Sequence, residues 1–228
     1  MVRDKPSRRS AAQTREHILA TAGELFYWQG IRSTSIDKLA AEAQVAPPTL
    51  YRLFASKDDL VAAYLRRNDE GYRGWFADAT AARHGSPRSR IMALFDALVD
   101  QVQPTRCRGC PYLMALAEYP DHESEVHRLA VATKAWVRQQ LVELAAAYAA
   151  TEPVADPELL ADQLALLVEG VYGSVQALGI TGPARRARQT AEALVDAATG
   201  TATSTNATPP SKTRSRPRSD ENDVEREA

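Results

Sequence analysis

Cysteine and histidine are scarce in this chain of 228 residues. Only Cys107 and Cys110 are present, which argues against a disulfide-stabilised secreted scaffold. A structural zinc site needs a full set of ligands, and the sequence has no second Cys-x-x-Cys pair and no His-x3-His pair. His122 and His127 are five residues apart, a spacing that does not place them on one face of a helix. We therefore predict no metal site and no cofactor.

Long apolar runs and catalytic motifs are also missing. The strongly apolar stretches, such as residues 164–168, are far shorter than the roughly 20 residues that a bilayer requires. The basic N-terminus is followed by no apolar segment, so it is not typical of a signal peptide. We expect a cytoplasmic protein with no membrane partner. Because no glycine-rich phosphate loop or nucleophile elbow occurs, we also predict that the chain is not an enzyme and has no catalytic residues.

The most informative stretch that is present covers residues 30–60. Its first helix carries an apolar stripe at positions i, i+3, i+4 and i+7, which are Ile36, Leu39, Ala40 and Ala43. Thr34 is predicted to cap this helix, because Asp37 follows three residues later in a capping-box pattern. Ser56 repeats the pattern with Asp59, so only one more short helix fits between the two caps.

That intervening helix has a proline start and one apolar face. Pro47 and Pro48 suit a first helical turn, where a missing backbone N–H costs nothing. Its inward positions are Leu50, Leu53 and Phe54, which leaves Thr49, Tyr51 and Arg52 pointing outward. Two short helices joined by a tight turn are the layout of a helix-turn-helix DNA-binding unit.

In the order and spacing of its residues, this stretch resembles the N-terminal domain of the TetR family of transcriptional regulators. The positions that match are Gly30, Thr34, Ser35, Ile36, Leu39, Ala40, Val45, Thr49, Leu50, Tyr51, Phe54, Lys57 and Leu60. Gln44 replaces a turn glycine, Ala46-Pro47-Pro48 replaces a Ser-x-Gly-like start, and Leu53 replaces a frequent aromatic residue. The resemblance implies a homodimer that binds a palindromic double-stranded operator and responds to a small-molecule effector, with repression as the leading interpretation.

The predicted DNA-binding residues lie on and beside the second short helix. They are Thr34, Ser35, Pro47, Pro48, Thr49, Tyr51, Arg52 and Lys57. Arg52 is expected to contact a base edge or a phosphate, while Pro48 and Thr49 suit a thymine methyl group. Residues 1–67 hold 11 Lys/Arg and 7 Asp/Glu, whereas residues 68–200 hold 12 and 17. The positive balance therefore lies where DNA contact is predicted.

The remaining chain reads as helices throughout, because no β-like alternation occurs and cap-proline pairs recur. With the two short helices, the predicted helices number about nine; the others cover residues 12–28, 57–79, 87–103, 111–119, 122–150, 157–179 and 183–198. We predict an all-α fold in three parts. These are a basic arm and helix-turn-helix domain at 1–56, a helical effector-binding and dimerisation domain at 57–199, and a disordered tail at 200–228.

The last two helices carry more apolar surface than one neighbour would cover. We predict a dimer interface that includes Leu164, Leu167, Val171, Ser174, Leu178, Ala191 and Leu194. Pairing with symmetry mates suits a palindromic DNA site. An intrachain core made by the same residues is the alternative.

The segment around Cys107 and Cys110 more weakly resembles one that lines the effector cavity in part of the TetR family. The residues predicted near a pocket for a small hydrophobic effector are Phe95, Tyr112, Leu113, Leu116, Glu118, Trp136 and Tyr172. An ordinary helical core would use the same residue types. Two reduced structural cysteines are the preferred interpretation, with a thiol switch beside Arg106 and Arg108 as the alternative. A thiol- or small-molecule-sensing protein with incidental DNA affinity is the alternative function.

Overall fold

The computed structural model describes residues 9–103 and 105–200, which form helices and no strand within those ranges. The helices are α1 Ala11–Gln29, α2 Ile36–Glu42, α3 Pro47–Leu53, α4 Lys57–Ala79, α5 Pro87–Gln101, α6 Pro111–Glu118, α7 Glu125–Ala149, α8 Pro157–Leu178 and α9 Ala187–Thr199. The all-α prediction is confirmed. The first eight residues of the predicted basic arm and the predicted disordered tail from residue 201 onward lie outside the described ranges.

Two short 3-10 turns, Ala82–His84 and Pro183–Arg186, separate longer helices. The prediction of one helix over 183–198 is therefore corrected: residues 183–186 form the second 3-10 turn, and α9 begins only at Ala187. A proline in a first turn fits both helix types, so the sequence pattern did not distinguish them.

The cap of α2 also differs from the prediction. Ser35 accepts a hydrogen bond from the backbone N–H of Lys38 at 3.2 Å and is therefore the N-cap. Thr34 is only 1% exposed, and its hydroxyl donates to the carbonyl of Gly30 at 2.8 Å. Both residue types cap helices well, and the burial of Thr34 moves the cap one position later.

Helices α1 to α4 form the predicted DNA-reading end, in which α1 packs on α4, α2 packs on α1 and α3 packs on α2. Ile18, Leu39, Leu50 and Leu60 are fully buried there, so each of the four helices contributes one central side chain. His17 reaches from α1 to the turn after α2, where its Nε2 lies 2.9 Å from the carbonyl oxygen of Ala43. This contact and the shared core fix the position of α2 and α3 on α1.

The remaining helices form a larger all-α body. Helix α7 packs along α8, and α9 packs between α5 and α8. Large side chains such as Phe76, Leu141 and Leu160 are fully buried between these helices. Because α4 contributes both Leu60 to the DNA-reading end and Phe76 to the body, one continuous helix connects the two parts.

Candidate nucleic-acid interface and effector cavity

Helix α3 presents an open surface made of the residues that the sequence placed outward. Pro47, Pro48 and Arg52 are exposed, and Tyr51 keeps 53% of its surface accessible. Thr49 is half-buried beside them. Leu50 holds the opposite side of the helix in the core at 0% exposure. The accessible residues of this short helix include a hydroxyl, a phenol and a guanidinium, which are groups that bind phosphates and base edges.

The other predicted DNA-binding residues differ in accessibility. Ser35 is exposed at the start of α2, whereas the buried hydroxyl of Thr34 stabilises the preceding turn and is not presented to solvent. Lys57 is half-buried, and its ammonium donates to the carbonyl of Arg32 at 3.3 Å. Burial lowers the pKa of Lys57. Lys38 is an exposed cation on α2 that the sequence analysis did not select, although its charge one turn after Ser35 was a usable signal.

The turn between α2 and α3 contains the only positive-φ non-glycine residue in residues 9–103 and 105–200. Gln44 has φ 53°, a left-handed conformation in which the family pattern has glycine. Its N–H donates to the carbonyl of Ala41 at 3.0 Å, so the turn closes despite the larger side chain. A left-handed conformation costs an L-residue about 1–2 kcal/mol, which glycine avoids.

Replacing Gln44 with glycine should therefore raise the free energy of unfolding by about 1 kcal/mol. Urea denaturation followed by circular dichroism measures the change. Gln139, exposed in the middle of α7, is the matched control, since glycine there should lower stability by about 1 kcal/mol. A loss of stability in Gln44→Gly would show that the glutamine side chain, and not its backbone conformation, decides the energy of this turn.

A cavity of about 610 Å³ lies between the C-terminal half of α1, the middle of α4 and the segment that leads into α6. Its aromatic wall comprises Tyr27, Tyr64, Tyr72, Trp75, Tyr112 and Tyr172, and its polar wall includes Glu24, Arg67, Asn68, Gln101, Arg106 and Lys134. This volume suits a small organic molecule. The mixture of flat rings and hydrogen-bonding groups favours a polar aromatic ligand over a purely hydrophobic one.

One hydroxyl in the cavity wall has no partner among the described residues. Tyr112 is 3% exposed, and its OH makes no hydrogen bond. By contrast, Tyr172 donates to the side-chain carbonyl of Gln101 at 2.6 Å, and the ammonium of Lys134 contacts both carboxylate oxygens of Glu169 at 2.8 and 2.9 Å. A buried donor without an acceptor is costly, so Tyr112 marks a position where a ligand acceptor atom would be stabilised.

The tyrosines of the cavity remain protonated at ordinary pH. Burial raises the pKa of Tyr64 to about 12, and burial likewise raises the pKa values of Tyr72, Tyr112 and Tyr172 above the ordinary tyrosine value. Each hydroxyl therefore keeps its proton and can act as a hydrogen-bond donor, as that of Tyr172 does toward Gln101.

Of the seven residues predicted near an effector pocket, only Tyr112 and Tyr172 line this cavity. The other five do not line it, and the predicted lining is corrected accordingly. These five residues are Phe95, Leu113, Leu116, Glu118 and Trp136. Phe95, on α5, is fully buried in the core of the chain, and the ring of Trp136 packs against the ring of Phe76 with centroids 5.3 Å apart. Leu113 is 39% exposed, and Leu116 packs against the core from its edge. Apolar spacing identifies the inward side of a helix but does not say which inward side chains border a void.

Helix α6 connects the cavity with the DNA-reading end. Cys110, Pro111 and Tyr112 at its start line the cavity. At its end, the carboxylate of Glu118 accepts hydrogen bonds from the backbone N–H groups of Ile31 at 2.9 Å and Arg32 at 2.5 Å, just before α2. A shift of this eight-residue helix would therefore act directly on the segment that precedes the reading helices.

The next residue makes a second link to the DNA-reading end. The hydroxyl of Tyr119 donates to the carboxylate of Asp58 at 2.8 Å, and Asp58 lies in the first turn of α4. The C-terminal end of α6 thus contacts both the segment before α2 and the start of α4.

The residues predicted for a dimer interface divide into two groups. Leu164, Val171 and Ala191 are at most 2% exposed and belong to the core of the chain itself, so the alternative interpretation holds for these three. Leu167, Ser174 and Leu194 are partly buried, and Leu178 is 60% exposed. Helix α8 is covered on the sides that face α7 and α9, which is why its apolar pattern exceeded that of a surface helix.

The uncovered side of α8 has its own apolar row. Leu166 is 72% exposed, and Gly170, Gly173 and Ala177 continue along the same side. A Cβ atom at Gly170 or Gly173 would meet nothing within 4 Å in the chain. Small residues beside an exposed leucine let a second helix approach closely.

The cysteines and histidines form no metal-binding group in the part of the chain that the structure describes. Cys107 and Cys110 are buried and reduced, and both line the cavity. His122 Nδ1 and His127 Nε2 lie 3.0 Å apart, because His122 precedes α7 and folds back onto it. Within the same residues, no helix has both the length and the apolar character of a membrane span.

Comparison with known proteins matches two family models to the chain, one in its N-terminal part and one in its C-terminal part. The family model described as bacterial regulatory proteins, tetR family, matches residues 18–64, and the model described as tetracyclin repressor-like, C-terminal domain, matches residues 87–191. The crystal structure of SCO4454, a TetR-family transcriptional regulator from Streptomyces coelicolor, is 30% identical and has a TM-score of 0.75. The matched region covers 82% of this chain and 97% of the SCO4454 chain. The chain belongs to the TetR family of transcriptional regulators.

Other TetR-family relatives are similar over shorter segments. The transcriptional regulator YjdC of Escherichia coli is 27% identical over 156 residues, which are 68% of this chain and 80% of YjdC. The transcriptional repressor NemR of the same species is 29% identical over 109 residues, which are 47% of this chain and 55% of NemR. The family consists of DNA-binding regulators, which confirms the prediction that this chain is not an enzyme.

Proposed function

We propose that this TetR-family regulator is a cytoplasmic homodimeric repressor that binds a palindromic operator and is released by a small aromatic effector. The observation that carries the proposal is the position of α6. This helix lines the cavity at its start and contacts the DNA-reading end through Glu118. The open surface of α3 supports sequence readout in the major groove. The repressor role is proposed by analogy with NemR, which is named a transcriptional repressor.

The effector would occupy the tyrosine-lined cavity. Its aromatic walls suit a flat ring, and the free hydroxyl of Tyr112 favours a ligand that carries a hydrogen-bond acceptor. An effector changes DNA binding only if it binds the DNA-free state more tightly than the bound one. Movement of α6 relative to Ile31 and Arg32 would supply that difference, since a ligand placed at Tyr112 displaces the start of the same helix.

Dimerisation would use the uncovered side of α8. Leu166 and Leu178 are exposed on this helix, and the glycines between them leave open space. An isologous dimer gives two copies of α3 related by twofold symmetry, as a palindromic site requires.

Selection of random duplex DNA by the purified protein, at near-physiological salt, tests the proposal. We expect recovery of an inverted repeat whose half-sites are about one helical turn apart. The recovered site then serves as a probe, and candidate aromatic ligands are screened for release of the protein from it. Recovery of unrelated sequences with equal affinity would contradict sequence-specific readout by α3.

Replacing Arg52 with alanine should weaken operator binding by about 1–3 kcal/mol if its guanidinium reads a base edge. In that case preference is also lost at one operator position, which repeated selection with the variant measures. A phosphate contact would instead weaken binding to all sequences equally and reduce the salt dependence. Arg83→Ala is the matched control, because this exposed arginine pairs with Asp78 in the body, and operator affinity should not change. Unchanged binding by Arg52→Ala would remove this residue from the interface.

A further inference from the structure

The segment between α5 and α6 places two thiols at the wall of the cavity. Cys107 is 7% exposed and Cys110 is 2% exposed, and both line the cavity. Cys110 is also the N-cap residue of α6. Only Arg108 and Gly109 separate the two cysteines, so the thiols lie on one short loop that borders a space large enough to admit small solutes.

The two residues between the cysteines hold the first helix of the DNA-reading end. The hydroxyl of Tyr27, near the end of α1, donates to the carbonyl of Gly109 at 2.9 Å and accepts from the backbone N–H of Arg108 at 2.6 Å. The guanidinium of Arg108 donates in turn to the backbone carbonyl of Tyr27 at 2.8 Å. The backbone N–H of Gly109 also donates to the Tyr27 hydroxyl at 3.3 Å. Four hydrogen bonds therefore attach the loop to α1, all of them through Arg108 and Gly109.

The opposite side of the loop is closely packed on α8. Gly109 has φ 141°, and a Cβ atom at this position would lie 2.6 Å from the side-chain oxygen of Gln176. The positive φ favours glycine at this position, and a larger residue would also displace the Gln176 side chain. A change in the geometry of the loop would consequently disturb the Gln176 side chain on one side and the hydrogen bonds to Tyr27 on the other.

A cation stands beside the second thiol. Burial tends to lower the pKa of Lys134, but the neighbouring Cys110 and Glu169 outweigh this effect, and the pKa of Lys134 is raised. Lys134 is therefore an ammonium in the folded protein. The thiolate is the form of cysteine that reacts with peroxides.

We propose that Cys107 and Cys110 form a reversible intrachain disulfide when a small hydroperoxide enters the cavity, and that Tyr27 transmits the change to α1. In the first step the Cys110 thiol gives up its proton and its sulfur attacks one peroxide oxygen. The O–O bond breaks, a sulfenic acid forms, and the leaving oxygen takes the thiol proton and departs as water or alcohol. In the second step the Cys107 sulfur attacks the sulfenic sulfur, the S–S bond forms as the S–O bond breaks, and the oxygen departs as water with the proton of the Cys107 thiol. The two thiols lose two electrons and two protons, and the peroxide is reduced.

The spacing explains why such a bond would act on DNA binding. A disulfide fixes the separation and orientation of its two cysteines, so the residues enclosed between them must adjust. Those residues, Arg108 and Gly109, are the hydrogen-bond partners of Tyr27. The effect on DNA rests on the proposed function, whereas formation of the disulfide does not.

The first experiment measures the thiol chemistry alone on the reduced full-length protein. Treatment with hydrogen peroxide should remove two hydrogen atoms from the intact mass, protect both cysteines from alkylation and leave a single chain on a non-reducing gel. Dithiothreitol should reverse all three changes, and Cys107→Ser or Cys110→Ser should prevent them. Addition of oxygen without loss of the thiol pair, or a bond between two chains, would overturn the proposal.

The second experiment measures transmission by the ratio of operator affinities of the oxidised and reduced forms. We expect a change of about tenfold or more in the unmodified sequence, within the range usual for allosteric coupling. Tyr27→Phe should still form the disulfide but give a ratio close to one, since it loses the hydroxyl's bonds to the backbone of Arg108 and Gly109 and keeps only the bond from the Arg108 guanidinium to its own carbonyl. Tyr148→Phe, a buried tyrosine in α7, is the control and should keep the full ratio.

A full response in Tyr27→Phe, or a disulfide that changes neither affinity nor structure, would overturn the transmission step. If neither redox form binds any selected DNA, the proposed function fails, and hydrogen exchange of the α1 amides then decides whether oxidation reaches this helix. Faster or slower exchange in α1 that disappears in Tyr27→Phe would support the inference. Exchange confined to residues 106–110 would contradict it.

Discussion

Replacing Leu166 with arginine should convert the proposed dimer into a monomer and weaken operator binding by about 1,000-fold or more. A monomer contacts only one half-site, and specific DNA binding exceeds non-specific binding by about 10³–10⁷. Leu166 is 72% exposed on α8, so arginine costs the folded protomer little. In a symmetric interface the same substitution would bring two buried positive charges together, which is strongly unfavourable.

Sedimentation velocity measures the oligomeric state, and titration of the selected operator measures the affinity. Val131→Arg is the matched control, because Val131 is an apolar residue with 46% exposure on α7 and is not part of the row formed by Leu166, Gly170, Gly173 and Ala177. This control should remain dimeric and bind the operator normally. A dimeric Leu166→Arg protein, or a monomer that keeps full operator affinity, would contradict the placement of the interface on α8.

The DNA-reading end could be predicted from the sequence almost residue by residue. Short helices leave strong local marks there: serine caps, prolines at the start of α3 and an apolar stripe on α2. The error at Thr34 arose because threonine and serine are both good caps, and burial, which is a tertiary property, decides between them. The strain at Gln44 was signalled only by its departure from the family pattern.

The cavity could be predicted only in outline. Its wall combines side chains of α1, α4, α7 and α8 with the loop before α6, and no periodic pattern links such distant segments. Tyr27, Tyr64 and Tyr72 were missed for that reason, although all three face the same space. The dimer prediction had a related limit, since apolar spacing marked two sides of α8 without showing which one the chain itself covers.

Replacing Phe95 with alanine should lower the free energy of unfolding by about 3–5 kcal/mol. Phe95 was predicted to line an effector pocket, but its side chain, on α5, is fully buried in the core and does not line the tyrosine-lined cavity. The loss therefore comes from the transfer of a large apolar side chain and from the void it leaves. Thermal and urea denaturation measure the change. A stability loss below about 1 kcal/mol, as usual for residues outside a packed core, would contradict the buried position.

Tyr112→Phe provides the contrast, because Tyr112 was predicted for the same pocket and does line the cavity. Its hydroxyl is buried without a partner, so removing it should leave stability unchanged or raise it by about 1 kcal/mol. Affinity for an aromatic effector with an acceptor group should instead fall, since the variant loses the donor that such a ligand would meet. Titration of both variants with a ligand found by operator release separates the two roles: Phe95 should control stability and Tyr112 should control ligand binding. An effector that binds Tyr112→Phe as tightly as the unmodified protein would show that the ligand does not use this hydroxyl.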